Sequence, residues 1–326
     1  MKKFLIIQTA FIGDVILATP IIEKLYNFYP NDQIDFLLRK GNESLLKDHP
    51  HVSNILIWDK KTDKTKNLFR MIKQIRETKY DYVINLQRFL STGIITTFSK
   101  GKCKIGFDKN PLSFMFNHKV KHKIGEGNHE IERNINLISE ITDNEICKPR
   151  LYPSEKDFEL ISQYTNEPYI CIAPTSVWFT KQYPADKWIE LIDSIRSEYR
   201  IYLIGGKDDR TVCDSIISDS KNTKIKNLCG ELSFLQTSAL MTNAVMNYVN
   251  DSAPMHMASS MNAKTTAVFC STVPDFGFGP LSDCSKIVEI EEFLDCRPCG
   301  LHGAKKCPQG HFKCAHEIKT RQLLFE

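Results

Sequence analysis

The stretch that decides the fold of this chain is KFLIIQTAFIGDVILATP, residues 3–20. An apolar run over Phe4–Gln8 predicts a short buried strand, which the loop Thr9–Gly13 joins to a helix that begins near Asp14. Pro20 lies inside the helical pattern and predicts a kink or a break there. A buried strand that turns directly into a helix is typical of the first unit of an open, parallel α/β sheet.

The alternation of apolar strands and helices continues on both sides of a polar stretch that contains Pro149 and Pro153. After it, the second half restarts with a strand over Tyr169–Ala173. The pattern predicts an α/β protein of two domains, residues 1–155 and 156–326, each with a mostly parallel sheet covered by helices. Because ligands bind beyond the carboxyl ends of such strands, we expect the ligand site in a cleft between the domains.

Composition and charge limit the class of protein. Of the 326 residues, 42% are hydrophobic, which supports packed cores. No run of about 18 apolar residues occurs, so the sequence predicts no transmembrane helix and only peripheral membrane contact. Residues 1–150 carry 25 Lys and Arg against 17 Asp and Glu, a net +8, and residues 151–326 carry 18 against 22, a net −4. A basic first half indicates an anionic partner, although an ordinary solvated surface explains it equally well.

Asp14 follows Gly13 at the start of the first helix and has two interpretations. Gly13 lets the backbone turn tightly, and the positive potential at a helix N-terminus stabilises a carboxylate. An ionised carboxylate in that position would serve as a general base. Asp is also a preferred helix cap, and from the residues alone the cap is the favoured interpretation.

Two polar segments of the second half follow predicted strands. Thr175–Lys181 carries hydroxyls and one cation directly after the strand Tyr169–Ala173, which suits a diphosphate, although a solvated loop has the same pattern. Asn250–His256 follows another buried strand and opens a helix, whose free N–H groups suit a diphosphate. A helix cap at Asp251 or Ser252 is compatible with that interpretation.

Four cysteines lie within 19 residues near the C-terminus with the spacing C-x2-C-x7-C-x6-C: Cys296, Cys299, Cys307 and Cys314. Four thiolates at this spacing indicate a closed, structural zinc or iron site, with free thiols or disulfides as the alternatives. The other seven cysteines are scattered in or beside apolar runs, which favours buried thiols in a reducing, cytoplasmic compartment. A helix over Ile318–Leu324 is predicted near the end of the chain.

These segments together resemble one known family, the glycosyltransferase family 9 enzymes, which are bacterial ADP-heptose:lipopolysaccharide heptosyltransferases. The resemblance covers nearly the whole chain. It is carried by the opening IQTAFIGDV (7–15) with Thr19-Pro20, the loop APTS (173–176) with TKQYP (180–184), the turn NLCG (227–230), and the segments NDSAPMH (250–256) and FGP (278–280). Ala253 stands where the family often has glycine, which limits how closely the backbone approaches a phosphate.

The resemblance implies a GT-B fold, in which two Rossmann-like domains share one active site. It implies transfer of heptose from ADP-L-glycero-D-manno-heptose, held by the second domain, to the lipopolysaccharide inner core, with inversion at the anomeric carbon. Asp14 is implied as the base on the acceptor hydroxyl, and Lys181 as the cation that neutralises the diphosphate in place of a catalytic metal. The implied donor contacts are Thr175, Ser176, Thr180, Asp208, Asp251, Ser252, Ala253 and His256, with Asp209 an equally defensible choice in place of Asp208.

The acceptor implied by the resemblance is an anionic, lipid-linked core at the inner face of the inner membrane, which agrees with the basic first half. The candidate acceptor contacts are Gly13, Lys102, Lys104, Lys119, Lys121 and Lys123. The prediction is a cytoplasmic, peripheral membrane enzyme that binds no nucleic acid, because the basic residues do not cluster at the cysteines. The alternative is a related transferase with another nucleotide sugar or a protein acceptor, since heptosyltransferases that act on autotransporters carry a four-cysteine iron site.

Overall fold

The computed structural model describes residues 1–324, and the chain divides into two compact units, Met1–Tyr152 and Pro153 onward. The predicted domain boundary, after residue 155, lies close to this division. The predicted second domain also included Phe325 and Glu326, which lie outside the described residues. No helix among residues 1–324 combines the length and the apolar character needed to cross a bilayer.

The first unit is built on a parallel sheet. Its strands are β1 Lys3–Ile7, β2 Gln33–Arg39, β3 Asn54–Trp58, β4 Tyr82–Asn85, β5 Cys103–Phe107 and β6 His118–Val120. Its helices are α1 Ile12–Ile16, α2 Thr19–Phe28, α3 Lys64–Glu77, α4 Leu90–Phe98 and α5 Glu130–Asn136. The strands lie in the order β3-β2-β1-β4-β5-β6. The order therefore reverses between β1 and β4, and ligands of open α/β sheets bind beside such a reversal.

The second unit repeats this arrangement. Its strands are β7 Tyr169–Ala173, β8 Arg200–Leu203, β9 Ile225–Asn227, β10 Met246–Asn250, β11 Thr265–Phe269 and β12 Ser285–Glu289. Its helices are α6 Glu155–Ile161, α7 Ala185–Ser194, α8 Arg210–Asp219, α9 Phe234–Thr242, α10 Ala253–Ser260 and α11 Lys313–His316. The strand order β12-β11-β10-β7-β8-β9 reverses between β7 and β10. Two Rossmann-like sheets confirm the predicted α/β class of GT-B type.

The central strands are buried because helices cover both faces of each sheet. Phe4–Ile7 of β1 and Ile170–Ile172 of β7 are inaccessible to solvent, as expected for parallel strands that read as continuous apolar runs. In the first unit, α3 contributes Met71, Ile72 and Ile75 to the core beneath it. In the second unit, the core includes Trp188 of α7 and the buried side chains of the cysteine-rich tail.

Two local predictions differ in outcome. The predicted interruption at Pro20 is confirmed as a break, because α1 ends at Ile16 and Pro20 lies in the first turn of α2, where its missing N–H costs no hydrogen bond. The helix predicted over 318–324 is wrong, since only a short 3-10 turn, Thr320–Gln322, forms there. Ile318 and Leu323 are each fully buried in the core, so tertiary packing fixes this segment without a regular helix.

Candidate active site

Asp14 lies in a half-exposed turn directly beyond the carboxyl end of β1. Asp14 is the third residue of α1, and its Oδ2 accepts a hydrogen bond from the backbone N–H of Phe11, the N-cap residue, at 3.1 Å. This contact is the side-chain-to-N-cap half of a capping box, and it fixes the carboxylate at the edge where ligands of such sheets bind. A cap contact leaves the base interpretation open, because a carboxylate has several acceptor positions.

A buried amide network holds the strand ends beside this turn. Gln87 Nε2 donates to Gln8 Oε1 at 2.7 Å, and Thr9 Oγ1 donates to Gln87 Oε1 at 2.7 Å. The backbone N–H of Gln87 donates to Asn85 Oδ1 at 2.9 Å. The network links the ends of β1 and β4 at the reversal of strand order. Sequence reasoning missed it, although two polar residues directly after buried strands were a usable signal.

Two cations near the Asp14 turn were also missed. Arg39, at the end of β2, lies over the Phe11 ring at 4.7 Å; burial lowers its pKa, and the charge of Asp14 opposes that shift. Lys60, just after β3, donates to the carbonyl oxygen of Thr9 at 2.9 Å. Burial, followed by the charges of Arg39 and Lys64, lowers the pKa of Lys60 to about 8. These half-buried cations form a positive edge suited to an anionic group.

The lysines predicted as acceptor contacts lie elsewhere on the first sheet. Lys102 precedes β5 and pairs with Asp81 at 2.7 Å, and Lys104 lies in the first half of that strand. Because the strands are parallel, these positions are at the amino edge, opposite the Asp14 turn. Lys121 is exposed directly after the carboxyl end of β6. The structure therefore does not bring Lys102 and Lys104 to Asp14.

In the second unit, Lys181 and Asp251 form a buried ion pair, with Nζ 2.6 Å from Oδ2. Thr272 Oγ1 donates to the same carboxylate oxygen at 2.6 Å. The three residues follow β7, β10 and β11, whose carboxyl ends are neighbours in the sheet. Asp251 keeps the ammonium group oriented at the reversal of strand order, where an anionic ligand is expected.

Asn250, the last residue of β10, forms hydrogen bonds that hold the Thr175–Lys181 loop, which carries other predicted donor contacts. Its Nδ2 donates to the carbonyl oxygens of Ala173 and Thr175 at 3.3 Å each, and its Oδ1 accepts from the Tyr183 backbone at 2.8 Å. The structure thereby brings the Thr175–Lys181 loop next to the start of α10. Of the remaining predicted contacts, Thr175, Thr180, Asp251 and His256 are buried, and Ser176, Ser252 and Ala253 are half-buried.

The structure distinguishes Asp208 from Asp209, which the sequence left as equally defensible donor contacts. Asp209 Oδ2 accepts a hydrogen bond from the backbone N–H of Gly206 at 2.7 Å, so Asp209 caps the turn after β8. Asp208 is exposed in the same turn. The side chain that remains at the surface for a ligand is therefore that of Asp208.

The cysteine-rich tail packs directly against the lysine loop. Thr180 Oγ1 accepts from the backbone N–H of Ala304 at 2.7 Å and from Ser271 Oγ at 2.9 Å. Gly303 has φ +74°, and a Cβ built on it would lie 3.0 Å from Thr180 Oγ1 and 3.1 Å from Lys181 Cγ. The tail thus supports the position of Lys181, a role that sequence reasoning did not assign to it.

A side chain at Gly303 is expected to disturb this support. If Lys181 neutralises a diphosphate as the resemblance implies, Gly303→Ala should lower the turnover number about tenfold, because displacing Lys181 by a fraction of an ångström weakens its contact with a developing charge. Gly300→Ala is the matched control, since Gly300 has φ +72° and no atom within 4 Å of a built Cβ. Both variants carry similar backbone strain, of about 1 kcal/mol. If Gly303→Ala and Gly300→Ala had the same thermal stability and the same turnover number, the tail would not support the position of Lys181.

The four thiols of the tail lie near one another, but they are not arranged to coordinate a metal ion. Burial, with the nearby charges of Cys299, Cys307 and Cys296, raises the pKa of Cys314 to about 12. Cys296 Sγ lies 3.9 Å from His311 Nε2, and Cys299 Sγ points to the Cys296 carbonyl oxygen at 3.2 Å. Among residues 1–324, no group of three or more His, Cys, Asp or Glu side chains is placed to hold a metal ion. The four-cysteine metal site therefore stays a prediction.

Several known proteins resemble this chain in sequence and in fold. The sequence model of glycosyltransferase family 9 (heptosyltransferase) matches residues 68–301. Lipopolysaccharide heptosyltransferase 3 of Escherichia coli is 27% identical over 277 residues, 80% of this chain and 82% of the relative. Lipooligosaccharide heptosyltransferase 2 of Campylobacter jejuni is 24% identical over 331 residues, with 100% and 98% covered. The solved structure of the E. coli ADP-heptose lipopolysaccharide heptosyltransferase II superposes with a TM-score of 0.81 at 21% identity, over 98% of this chain and 96% of that one.

Proposed function

This chain belongs to glycosyltransferase family 9, and from that membership we propose that it transfers heptose from ADP-L-glycero-D-manno-heptose to the lipopolysaccharide inner core. Relatives named as lipopolysaccharide heptosyltransferases, over most of the chain, support this substrate class. The observation that carries the proposal is Lys181, held by Asp251 and Thr272 at the carboxyl edge of the second sheet. A fixed cation at that edge suits the diphosphate of a nucleotide sugar.

In the proposed reaction, an acceptor hydroxyl oxygen bonds to the anomeric carbon of heptose while the bond from that carbon to the diphosphate oxygen breaks. The acceptor proton passes to the carboxylate of Asp14, and the bonding electrons leave with ADP. Attack from the face opposite the leaving group inverts the anomeric configuration. Lys181 neutralises the charge that develops on the leaving diphosphate, and Asp251 holds the Lys181 side chain in place.

The donor contacts of the proposal surround Lys181. Thr175 and Ser176 supply hydroxyl groups, and the backbone N–H groups at the start of α10, from Ser252 and Ala253, face the diphosphate. Asp208 takes the ribose of the nucleotide, because it is the more exposed of the two neighbouring aspartates. The relative of known structure described as an ADP-heptose heptosyltransferase supports adenine as the base.

We propose Arg39 and Lys60 as binding groups for the acid groups of the acceptor. Both cations are near the Asp14 turn, and neither forms a salt bridge within residues 1–324 in the way that Lys102 does with Asp81. A phosphate or a sugar-acid carboxylate would place a neighbouring hydroxyl near the base. Gly13 and Lys121 remain further candidates at the same edge.

Acceptor binding is expected to weaken as the pH rises through about 8. Lys60 has a lowered pKa of about 8, so it is charged below that pH and neutral above it. An anionic acceptor therefore loses one attractive charge in alkaline solution, and its KM should rise about tenfold between pH 7 and pH 9. The Lys60→Arg variant, which stays charged, should lose this part of the pH dependence. The same rise in KM in wild type and variant would show that Lys60 does not contact the acceptor.

The acceptor and the cellular location belong to the proposal as well. We place the enzyme in the cytoplasm, at the inner face of the inner membrane, where a lipid-linked core is accessible. The alternative is a family 9 transferase that uses another nucleotide sugar or a protein acceptor. The test is ADP release in the presence of ADP-heptose and lipid-linked core. The proposal is supported if ADP is released only when both ADP-heptose and the lipid-linked core are present. The alternative is supported if turnover occurs only with a UDP- or GDP-sugar as donor, or only with a protein as acceptor.

A further inference from the structure

Helix α3 of the first unit, KTKNLFRMIKQIRE over residues 64–77, is amphipathic and strongly basic. Its inner side chains, Met71, Ile72 and Ile75, are buried in the core of the unit. The rest of the helix carries one acid, Glu77, and five exposed cations: Lys64, Lys66, Arg70, Lys73 and Arg76. Because the apolar face packs into the core, α3 presents its basic face to solvent, and a surface cluster of Lys and Arg is attracted to an anionic membrane.

The five cations have no carboxylate within salt-bridge distance in the described part of the chain. Some exposed lysines elsewhere in the first unit do have one, as Lys102 has Asp81 and Lys123 has Glu126. Like charges along one helix repel each other, so an unpaired row of this kind lowers stability unless an anionic surface neutralises it. The α3 cations are therefore available to an external partner.

Apolar side chains lie among and beside these cations. Phe69, between Lys66 and Arg70 in the helix, is 65% exposed. The neighbouring helix α4 packs against α3 and exposes Leu90 and Phe98. Cations alone would suit any acidic partner, but large apolar groups beside them favour the boundary between lipid headgroups and acyl chains.

We propose that the outer face of α3 docks the enzyme on a bilayer that contains anionic lipids. The inference rests on the proposed function, since a lipid-linked acceptor is reached at such a surface. The first turn of α3 also adjoins the acceptor edge, because Lys64 is one of the charges that act on Lys60. Docking through α3 would therefore hold the Arg39–Lys60 edge close to the headgroups that carry the acceptor.

The test is sedimentation of the full chain with vesicles, without donor or acceptor. One set of vesicles is phosphatidylcholine alone, and the other contains about one third phosphatidylglycerol. Wild type should bind the anionic vesicles, and salt should weaken the binding. The Arg70→Gln/Lys73→Gln variant should bind the anionic vesicles about 30-fold more weakly than wild type does. The separate Phe69→Ser variant should also bind these vesicles more weakly than wild type, including at high salt. Lys221→Gln/Lys224→Gln, an equal loss of exposed charge in the second unit, should bind as wild type does.

The vesicle-binding outcome is independent of whether the proposed reaction is correct, because no substrate is present. Circular dichroism and the thermal unfolding midpoint of each variant show whether the protein still folds. Failure of wild type to bind anionic vesicles, or equal binding by wild type and the α3 variants, would overturn the proposal. Turnover on a delipidated, soluble acceptor completes the test. If docking is the role of α3, this turnover is unchanged in the α3 variants, and only turnover on vesicle-bound acceptor falls.

Discussion

The Asp14→Asn variant is expected to lose heptosyl transfer by a factor of about 10³, the range typical of a removed general base. The amide oxygen of asparagine can still accept the hydrogen bond from the Phe11 N–H, so the cap of α1 is retained. What the variant loses is the ability to take a proton. The turnover number with a saturating acceptor is the quantity to measure, together with the thermal unfolding midpoint.

This variant separates the two interpretations of Asp14 that the sequence left open. If the carboxylate served only to accept the Phe11 N–H, Asp14→Asn would keep nearly full activity, because the amide oxygen of asparagine accepts the same hydrogen bond. The control is Asp63→Asn, an exposed carboxylate in the same unit that makes no side-chain cap bond. We expect this control to be fully active, and both variants to change the free energy of unfolding by less than about 1 kcal/mol.

The second large effect is expected for Lys181→Met, which should reduce the turnover number by about 10²–10³ and also destabilise the second unit. The destabilisation, of about 3 kcal/mol, comes from the buried Asp251 carboxylate, which is 4% exposed and would lose its cation. Chemical denaturation and steady-state kinetics measure the two effects separately.

A double variant distinguishes the two causes. Lys181→Met/Asp251→Asn removes the uncompensated charge, so we expect most of the stability to return while the transfer rate stays low. Thr272 can still donate to the asparagine oxygen at position 251. Recovery of activity along with stability would mean that Lys181 acts only as a structural partner of Asp251 and not on the leaving group.

The sequence was sufficient where a residue follows a recognisable strand and motif. The interruption at Pro20 follows from the missing N–H of proline inside a helical pattern. Lys181 and Asp251 lie together because a parallel sheet brings the carboxyl ends of neighbouring strands to one edge. The choice of Asp208 over Asp209 in the proposal needed the structure, because only the greater exposure of Asp208 and the hydrogen bond accepted by Asp209 distinguish these adjacent aspartates.

The sequence did not predict the position of a residue where strand direction or tertiary packing determines that position. Lys102 and Lys104 are basic and near a strand, but only the parallel register shows that they lie at the edge away from Asp14. Arg39 and Lys60 belong to no motif, and their strands come from separate parts of the chain. The contact of Gly303 with the lysine loop joins segments more than 100 residues apart, which spacing alone does not predict.

Heptosyl transfer with inversion is measured directly by mass spectrometry and NMR of a lipid-linked core acceptor after incubation with the enzyme and ADP-L-glycero-D-manno-heptose. We expect an acceptor heavier by one heptosyl residue, one ADP released for each transfer, and a new glycosidic bond whose anomeric configuration is opposite to that of the donor. An acceptor of unchanged mass, or a product with the configuration of the donor retained, would contradict the proposed reaction.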